Sequence, residues 1–274
     1  MAIVIRSNVA SLEAQRQLGR TQMEQTKTFA RLSSGYRING ASDDAAGVGI
    51  TESLGAQIRS FTVAERNAND GISMAETADG AAGQVSDILG RLRELAVQSS
   101  NGALSGNDRT NIDTEFTALR SEIDRIANVT KFGGQDLLAG TATAIDFQVG
   151  IGTTADDQIS VTFGGVTTTA LGINASAVDT VANAQAAIDD IDTAIQDLGT
   201  SRQGFGSAIN RLQSAASNVQ TMRTNLASAR SRIKDTDVAE EAAAMARQQV
   251  LSQAGASVLS QANSAPQMAL SLLR

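Results

Sequence analysis

The chain has 274 residues, a formal net charge of −7 and only 3% aromatic side chains, with no Cys, His or Trp. Without Cys there are no disulfides or thiolate metal sites, and without His there is neither an imidazole base nor the commonest zinc ligand; zinc enzymes, cysteine hydrolases and Ser-His-Asp chemistry are excluded. The acidic balance gives no general reason to expect a nucleic-acid partner.

The first predicted element is a weakly amphipathic helix over 1–34, with Ile5, Val9 and Leu12 early, Phe29 and Leu32 late, and a Gln-rich middle. Ser33-Ser34-Gly35 ends it, Gly being suited to a left-handed C-cap. A connector follows to Ala41. Ser42-Asp43-Asp44 then opens a second helix, with Ser42 as the expected cap and two Asp complementing the helix dipole.

That second helix carries Leu54, Phe61, Ala68, Ala75, Ala82, Leu89 and Ala96 at intervals of seven, to about Ser100. Six glycines (49, 55, 71, 80, 83 and 90) interrupt it, each unfavourable by up to ~1 kcal/mol relative to Ala. Close approach of neighbouring helices is the expected reason. Asn101-Gly102 ends the helix, and Ser105 or Asn107 can cap a shorter one. Its stripe is Ile112, Phe116, Leu119, Ile123 and Ile126.

From Phe132 the period changes to two. Ile145, Phe147, Val149 and Ile151 alternate, as do Ile159, Val161 and Phe163, around a turn-rich Gly152–Asp157. A β-hairpin is predicted there. A longer ladder follows at Ile191, Leu198, Phe205, Leu212, Val219, Leu226 and Ile233. Ile188, Ile195, Ile209 and Ala216 form its expected second row, interrupted by Arg202, Arg223 and Arg230, as in a coiled-coil seam. The final segment, 238–274, reads as an Ala/Gln-rich helix with Ala244, Leu251, Ala254, Val258 and Ala262 on one face. Pro266 is expected to kink or restart it.

The fold class is therefore mainly α: an elongated antiparallel helical bundle or coiled coil with a small β-hairpin region and paired terminal helices. The predicted division is 1–40, 41–177, 178–234 and 235–274, the outer two segments pairing and the inner two forming the bundle. The terminal helices have weak apolar stripes, so they are expected to order only on self-association. Charge is segregated as well: positions 1–37 hold six basic residues, and nine Asp lie between Asp136 and Asp197. No stretch approaches the ~18–20 apolar residues of a membrane span, so membrane insertion is not expected. Met1–Ile5 is too short for a secretory h-region, and any export is expected to proceed without signal cleavage.

Several separate segments carry a family likeness. Leu32-Ser33-Ser34-Gly35-Tyr36-Arg37-Ile38-Asn39 with Ser42-Asp43-Asp44-Ala45-Ala46-Gly47 resembles the junction after the first helix of bacterial flagellins. Arg66–Ser73, Arg91–Gln98, Ser231–Asp237 and the closing Gln261-Ala262-Asn263…Pro266…Ser271-Leu272-Leu273-Arg274 match further segments. The likeness covers about 1–140 and 180–274, and the large outer domains of many flagellins are missing or reduced to the hairpin.

The resemblance implies a structural subunit, not an enzyme and without cofactor. It would be exported unfolded by the flagellar type III apparatus and polymerise into the extracellular filament that drives motility. The alternative is a hook–filament junction protein. The implied partners are further copies of the chain, an export chaperone, and the filament cap and hook-junction proteins. Polymerisation through the terminal helices would use Ile5, Val9, Leu12, Leu251, Val258 and Leu272. Arg91, Leu95 and Glu115 match positions through which some flagellins contact a vertebrate toll-like receptor. Their plain structural reading is a flank of the heptad seam with surface ion pairs.

Overall fold

The computed structural model describes residues 7–140 and 142–271, with side chains through residue 265. Five helices and two two-stranded antiparallel sheets follow in order: α1 Val9–Ser34, α2 Ala45–Ser99, α3 Gly106–Val129, β1 Lys131–Phe132, β2 Gln135–Asp136, β3 Thr143–Gln148, β4 Gln158–Phe163, α4 Val181–Lys234 and α5 Val238–Ser271. No helix among the described residues is long and apolar enough to cross a membrane. The chain forms two units, residues 57–224 and residues 1–56 with 225–274.

In the unit of residues 57–224, α2 and α4 run antiparallel. Arg93 pairs with Asp192, Asp79 with Arg202, and Glu65 with Arg223, so rising numbers on one helix meet falling numbers on the other. The middle of each predicted ladder is the core: Phe61, Ala68, Ala75, Ala82, Leu89 and Ala96 face Ile191, Leu198, Phe205, Leu212 and Val219, all buried, whereas Leu54, Leu226 and Ile233 at the ladder ends are half-buried and belong to the other unit. The second row of α4 differs from expectation. Ala187, Ala194 and Ala208 are buried, whereas Ile188, Ile195 and Ile209 are half-buried on the flank. Alanines let the helix axes approach, and the bulkier Ile row packs at the edge instead.

The close-approach reading of the glycines holds at Gly71, where an added Cβ would lie 3.0 Å from the Phe147 ring and 3.1 Å from Leu212 Cδ1. Gly49, Gly80 and Gly90 face open space and need another reason.

α3 is capped by Ser105, whose side chain and that of Asp108 form a reciprocal capping box. Its Phe116, Ile123 and Ala127 join the core. β1 and β2 are joined by Gly133-Gly134, both at positive φ (58° and 85°), a two-residue turn closed to side-chain-bearing residues without strain. β3 and β4 form the predicted hairpin, in register from Thr143 opposite Phe163 to Gln148 opposite Gln158. Ile159, Val161 and Phe163 point into the core, and the Phe163 ring lies 5.7 Å from that of Phe205.

Residues 164–180 then cross α3 without regular structure, held by three α3 side chains. Asp124 accepts from the Thr168 N–H and hydroxyl, Asp113 accepts from the Val178 N–H, and Arg120 Nη1 donates to the carbonyls of Ile173, Asn174 and Ser176.

In the second unit, Gly35 (φ 73°) ends α1 as a left-handed cap, as the sequence predicts. The cap of α2 is Asp44, not Ser42: its Oδ1 accepts from the Gly47 N–H at 2.9 Å. Asp43 instead accepts from the Asn39 N–H and pairs with Lys27. Those contacts hold its carboxyl pKa below the usual value, the Asn39 N–H first and Lys27 next. Asp43 therefore fastens the connector, which leaves capping to its neighbour. The backbones of Tyr36 and Asp235 form a bridge, and Arg37 donates to the Ile233 carbonyl.

α5 continues through Pro266 to Ser271, so the helix does not restart there. Pro266 cannot donate to the Ala262 carbonyl four residues earlier, and the Asn8 side chain does so instead at 2.8 Å.

Candidate functional site

The α1–α5 pair is the feature with functional meaning. Both ends are helical over their described residues and pair antiparallel. Asn8 and Ser11 meet Ala262 and Asn263, Leu18 lies against Gly255, Thr28 meets Gln248, and Arg31 meets Glu241. Among the α1 positions withdrawn from solvent, Ser11, Ala14, Leu18, Thr21, Gln25, Thr28 and Leu32 alternate spacings of three and four, with Gly19 and Arg31 beside them. In α5, Glu241, Met245, Gln248, Ser252, Gly255, Leu259 and Ala262 show the same alternation, with Ala244 beside them. This is a heptad seam built largely from small and polar residues.

The seam is held by specific hydrogen bonds. Ser11 Oγ lies 2.7 Å from Asn263 Oδ1, and Gln248 Nε2 donates to Thr28 Oγ1 at 3.2 Å. Arg31 Nη1 reaches Glu241 Oε1 at 2.9 Å, with both side chains largely withdrawn from water. Its Nε is buried without a partner. Partial burial strengthens the Coulomb attraction of this pair but removes water from both ions, so its larger effect is on register.

Leu18, Leu32, Met245 and Leu259 contribute bulk to this seam, but other large apolar residues lie outside it. Val9, Leu12, Met23, Phe29, Val250, Leu251 and Val258 are each more than half exposed. On α1, Val9, Leu12 and Met23 fall on the face opposite the seam, as a rotation of 100° per residue requires. The pair withdraws Ser, Thr and Gln together with four larger apolar residues, and leaves Val9, Leu12, Met23, Phe29, Val250, Leu251 and Val258 in water.

Of the predicted self-association residues, Val9 and Leu12 thus lie on one outer face, and Leu251 and Val258 lie outside the seam of α5. Ile5 and Leu272 lie outside the described residues. The face predicted for α5 joined Ala244 and Ala262, both withdrawn from solvent, with Leu251, Ala254 and Val258, which are exposed. Hydrophobicity alone misses a seam made of Thr, Gln and Ser; their alternating spacing was the available signal.

The predicted receptor trio divides. Arg91 Nε and Nη2 donate to Glu115 Oε1 at 3.1 and 2.9 Å, and Nη1 donates to Glu94 at 2.8 Å. Glu94 and then Glu115 raise the guanidinium pKa further. Leu95 is 1% exposed and belongs to the core. Only the Arg91–Glu115 pair faces solvent. Arg202 and Arg223 find their acids within the chain, Asp79 and Glu65, rather than needing another molecule.

Comparison with known proteins agrees with this architecture. Residues 5–143 match the model of the bacterial flagellin N-terminal helical region, and residues 188–273 match that of the bacterial flagellin C-terminal helical region. The chain belongs to the bacterial flagellin family. Flagellin C of Vibrio cholerae is 49% identical over 150 residues, covering 55% of this chain and 40% of that protein. The chain therefore aligns with less than half the length of such relatives. A crystal structure of Bacillus cereus flagellin is 34% identical, covering 60% of this chain and 94% of that one, with a TM-score of 0.49. A flagellar hook-associated protein structure from Vibrio parahaemolyticus covers 70% of this chain and all of that one, at 14% identity and a TM-score of 0.59. That likeness is one of fold.

Proposed function

We propose that this flagellin-family chain is a filament subunit, exported unfolded and assembled outside the cell into the bacterial flagellar filament. The reading rests on the inside-out α1–α5 pair. A seam of mostly small and polar residues, with only Leu18, Leu32, Met245 and Leu259 for bulk, gains little by standing alone, and the apolar residues left in water gain by packing against further copies of the chain. Covering a Leu- or Val-sized side chain stabilises by roughly 1.5–3 kcal/mol. Val9, Leu12, Leu251 and Val258 would together supply several such contributions per subunit.

Before export, the same apolar faces are what a chaperone would have to cover. At the two ends of a filament, cap and hook-junction proteins would meet them in place of another subunit. The exposed Arg91–Glu115 pair is the candidate contact for a vertebrate toll-like receptor, with Leu95 acting from the core by fixing the α2 surface. A reporter-cell response abolished by Glu115→Arg is the expected result. A response unchanged by that substitution removes the pair from the contact.

The assembly reading is tested by electron microscopy of the purified chain with and without seeds, beside Leu251→Arg. The variant should keep wild-type helical content and melting, because Leu251 lies outside the seam, and form no filaments. Normal filaments from Leu251→Arg would overturn the role of this surface.

A further inference from the structure

We propose that Asn101 is a self-modification site, losing its side-chain amide through a cyclic imide formed with the Gly102 backbone nitrogen. The chain has two Asn-Gly steps, Asn39-Gly40 and Asn101-Gly102, and their surroundings differ. Asn101 and Gly102 are exposed in the turn after α2. The Gly102 N–H has no acceptor among the described residues, so the nucleophile is free, and glycine puts no side chain in its path.

Two further contacts favour the reaction. The peptide carbonyl joining Asn101 to Gly102 accepts from Arg109 Nη2 at 2.8 Å and from the Leu104 N–H at 3.2 Å. A guanidinium on that oxygen draws electron density from the peptide and makes the Gly102 N–H more acidic. Asn101 Oδ1 accepts from the Ala103 N–H at 3.0 Å. This is the oxygen on which negative charge develops when the side-chain carbon is attacked, so the Ala103 N–H acts as a fixed oxyanion donor.

Asn39 lacks this arrangement. Its Nδ2 donates to the Ala30 carbonyl at 3.2 Å, and its own N–H is held by Asp43. The leaving amide is pinned, and no donor meets its Oδ1 among the described residues.

In the reaction, solvent base removes the Gly102 amide proton and the nitrogen bonds to Asn101 Cγ. The Cγ–Nδ2 bond breaks, and Nδ2 takes up a proton and leaves as ammonia. Water then adds to either carbonyl of the five-membered imide, leaving an aspartyl or an isoaspartyl linkage. No oxidant or cofactor is required. The product places a new carboxylate next to Arg109, at the join between α2 and α3.

The test is peptide mapping by mass spectrometry during incubation of the full chain at mildly alkaline pH, native and in denaturing urea. In the folded chain Asn101 should convert about tenfold faster than Asn39, below the full effect of a preorganised oxyanion donor. In urea the two rates should converge. Arg109→Gln, checked for native helical content, should slow Asn101 and move its rate profile to higher pH without changing Asn39. Equal rates at the two sites in the folded chain would overturn the proposal, as would an Asn101 rate that rises on unfolding.

Discussion

The Asn8 side chain donates to the Ala262 carbonyl at 2.8 Å, the same carbonyl that Pro266 leaves without its helical partner. Asn8 also caps α1, since its Oδ1 accepts from the Ser11 N–H at 3.1 Å. One side chain therefore closes the start of one helix and repairs a gap in its neighbour. Asn8→Ala should destabilise the α1–α5 pair by about 1–2 kcal/mol, from the lost cap and the orphaned carbonyl. Pro266→Ala supplies the missing N–H, so the two substitutions should be non-additive by about 0.5–1 kcal/mol. Hydrogen exchange of α1 and α5 amides in the four-variant cycle measures this, and strict additivity would break the link.

The glycines of α2 should separate by environment. Gly80 faces open solvent, so Gly80→Ala is expected to stabilise by roughly 0.5–1 kcal/mol. Gly71→Ala drives a methyl into Phe147 and Leu212 and should destabilise by about 1–3 kcal/mol. Denaturant unfolding of the two variants should give opposite signs.

Acid should loosen the β3–β4 turn in a way traceable to Asp157. Its carboxylate accepts from the Thr154 hydroxyl, the Gly152 N–H and the Thr154 N–H, which together hold its pKa below the usual 3.8. A carboxyl with a depressed folded pKa contributes stability that is complete above its ordinary value and lost as pH falls through the lowered one. Amide exchange in the hairpin should therefore be protected at pH 5 and accelerate below the ordinary carboxyl range. Asp157→Asn should exchange faster at pH 5 and show less of that acid dependence; a wild-type acid profile in this variant would contradict the assignment.

Arg120 is the main fastening of residues 164–180 to α3. Its Nη1 serves three carbonyls, and its guanidinium lies 6.0 Å from the centroid of the Phe116 ring. Arg120→Met keeps the apolar stem but leaves those carbonyls without their charged donor, and should destabilise by about 2–3 kcal/mol. Limited proteolysis should then cut between residues 168 and 178. Resistance equal to wild type would show that Asp113 and Asp124 suffice.

Seven-residue periodicity in large apolar residues placed both ladders and the antiparallel α2–α4 core correctly, because a side chain recurring every second helical turn must share one face. Alternation located β3 and β4 for the corresponding reason at period two. The α1–α5 seam escaped, since Thr21, Gln25, Thr28 and Gln248 do not register on a hydrophobic scale even when their spacing is regular. The helix cap of α2 escaped too: Ser42, Asp43 and Asp44 are all acceptable caps, and only the Asn39 N–H and Lys27 contacts assign Asp43 elsewhere.

Length, the absence of Cys and His, and the repeat of apolar side chains were enough to determine a mainly helical fold without thiol or imidazole chemistry. Which apolar residues stay in water was decided by tertiary structure alone. Leu95 and Leu251 look alike in sequence, yet one is enclosed by the core and the other stands outside a polar seam. Periodicity fixes which residues share a face, but the partner that covers that face is chosen by packing between segments distant in the chain.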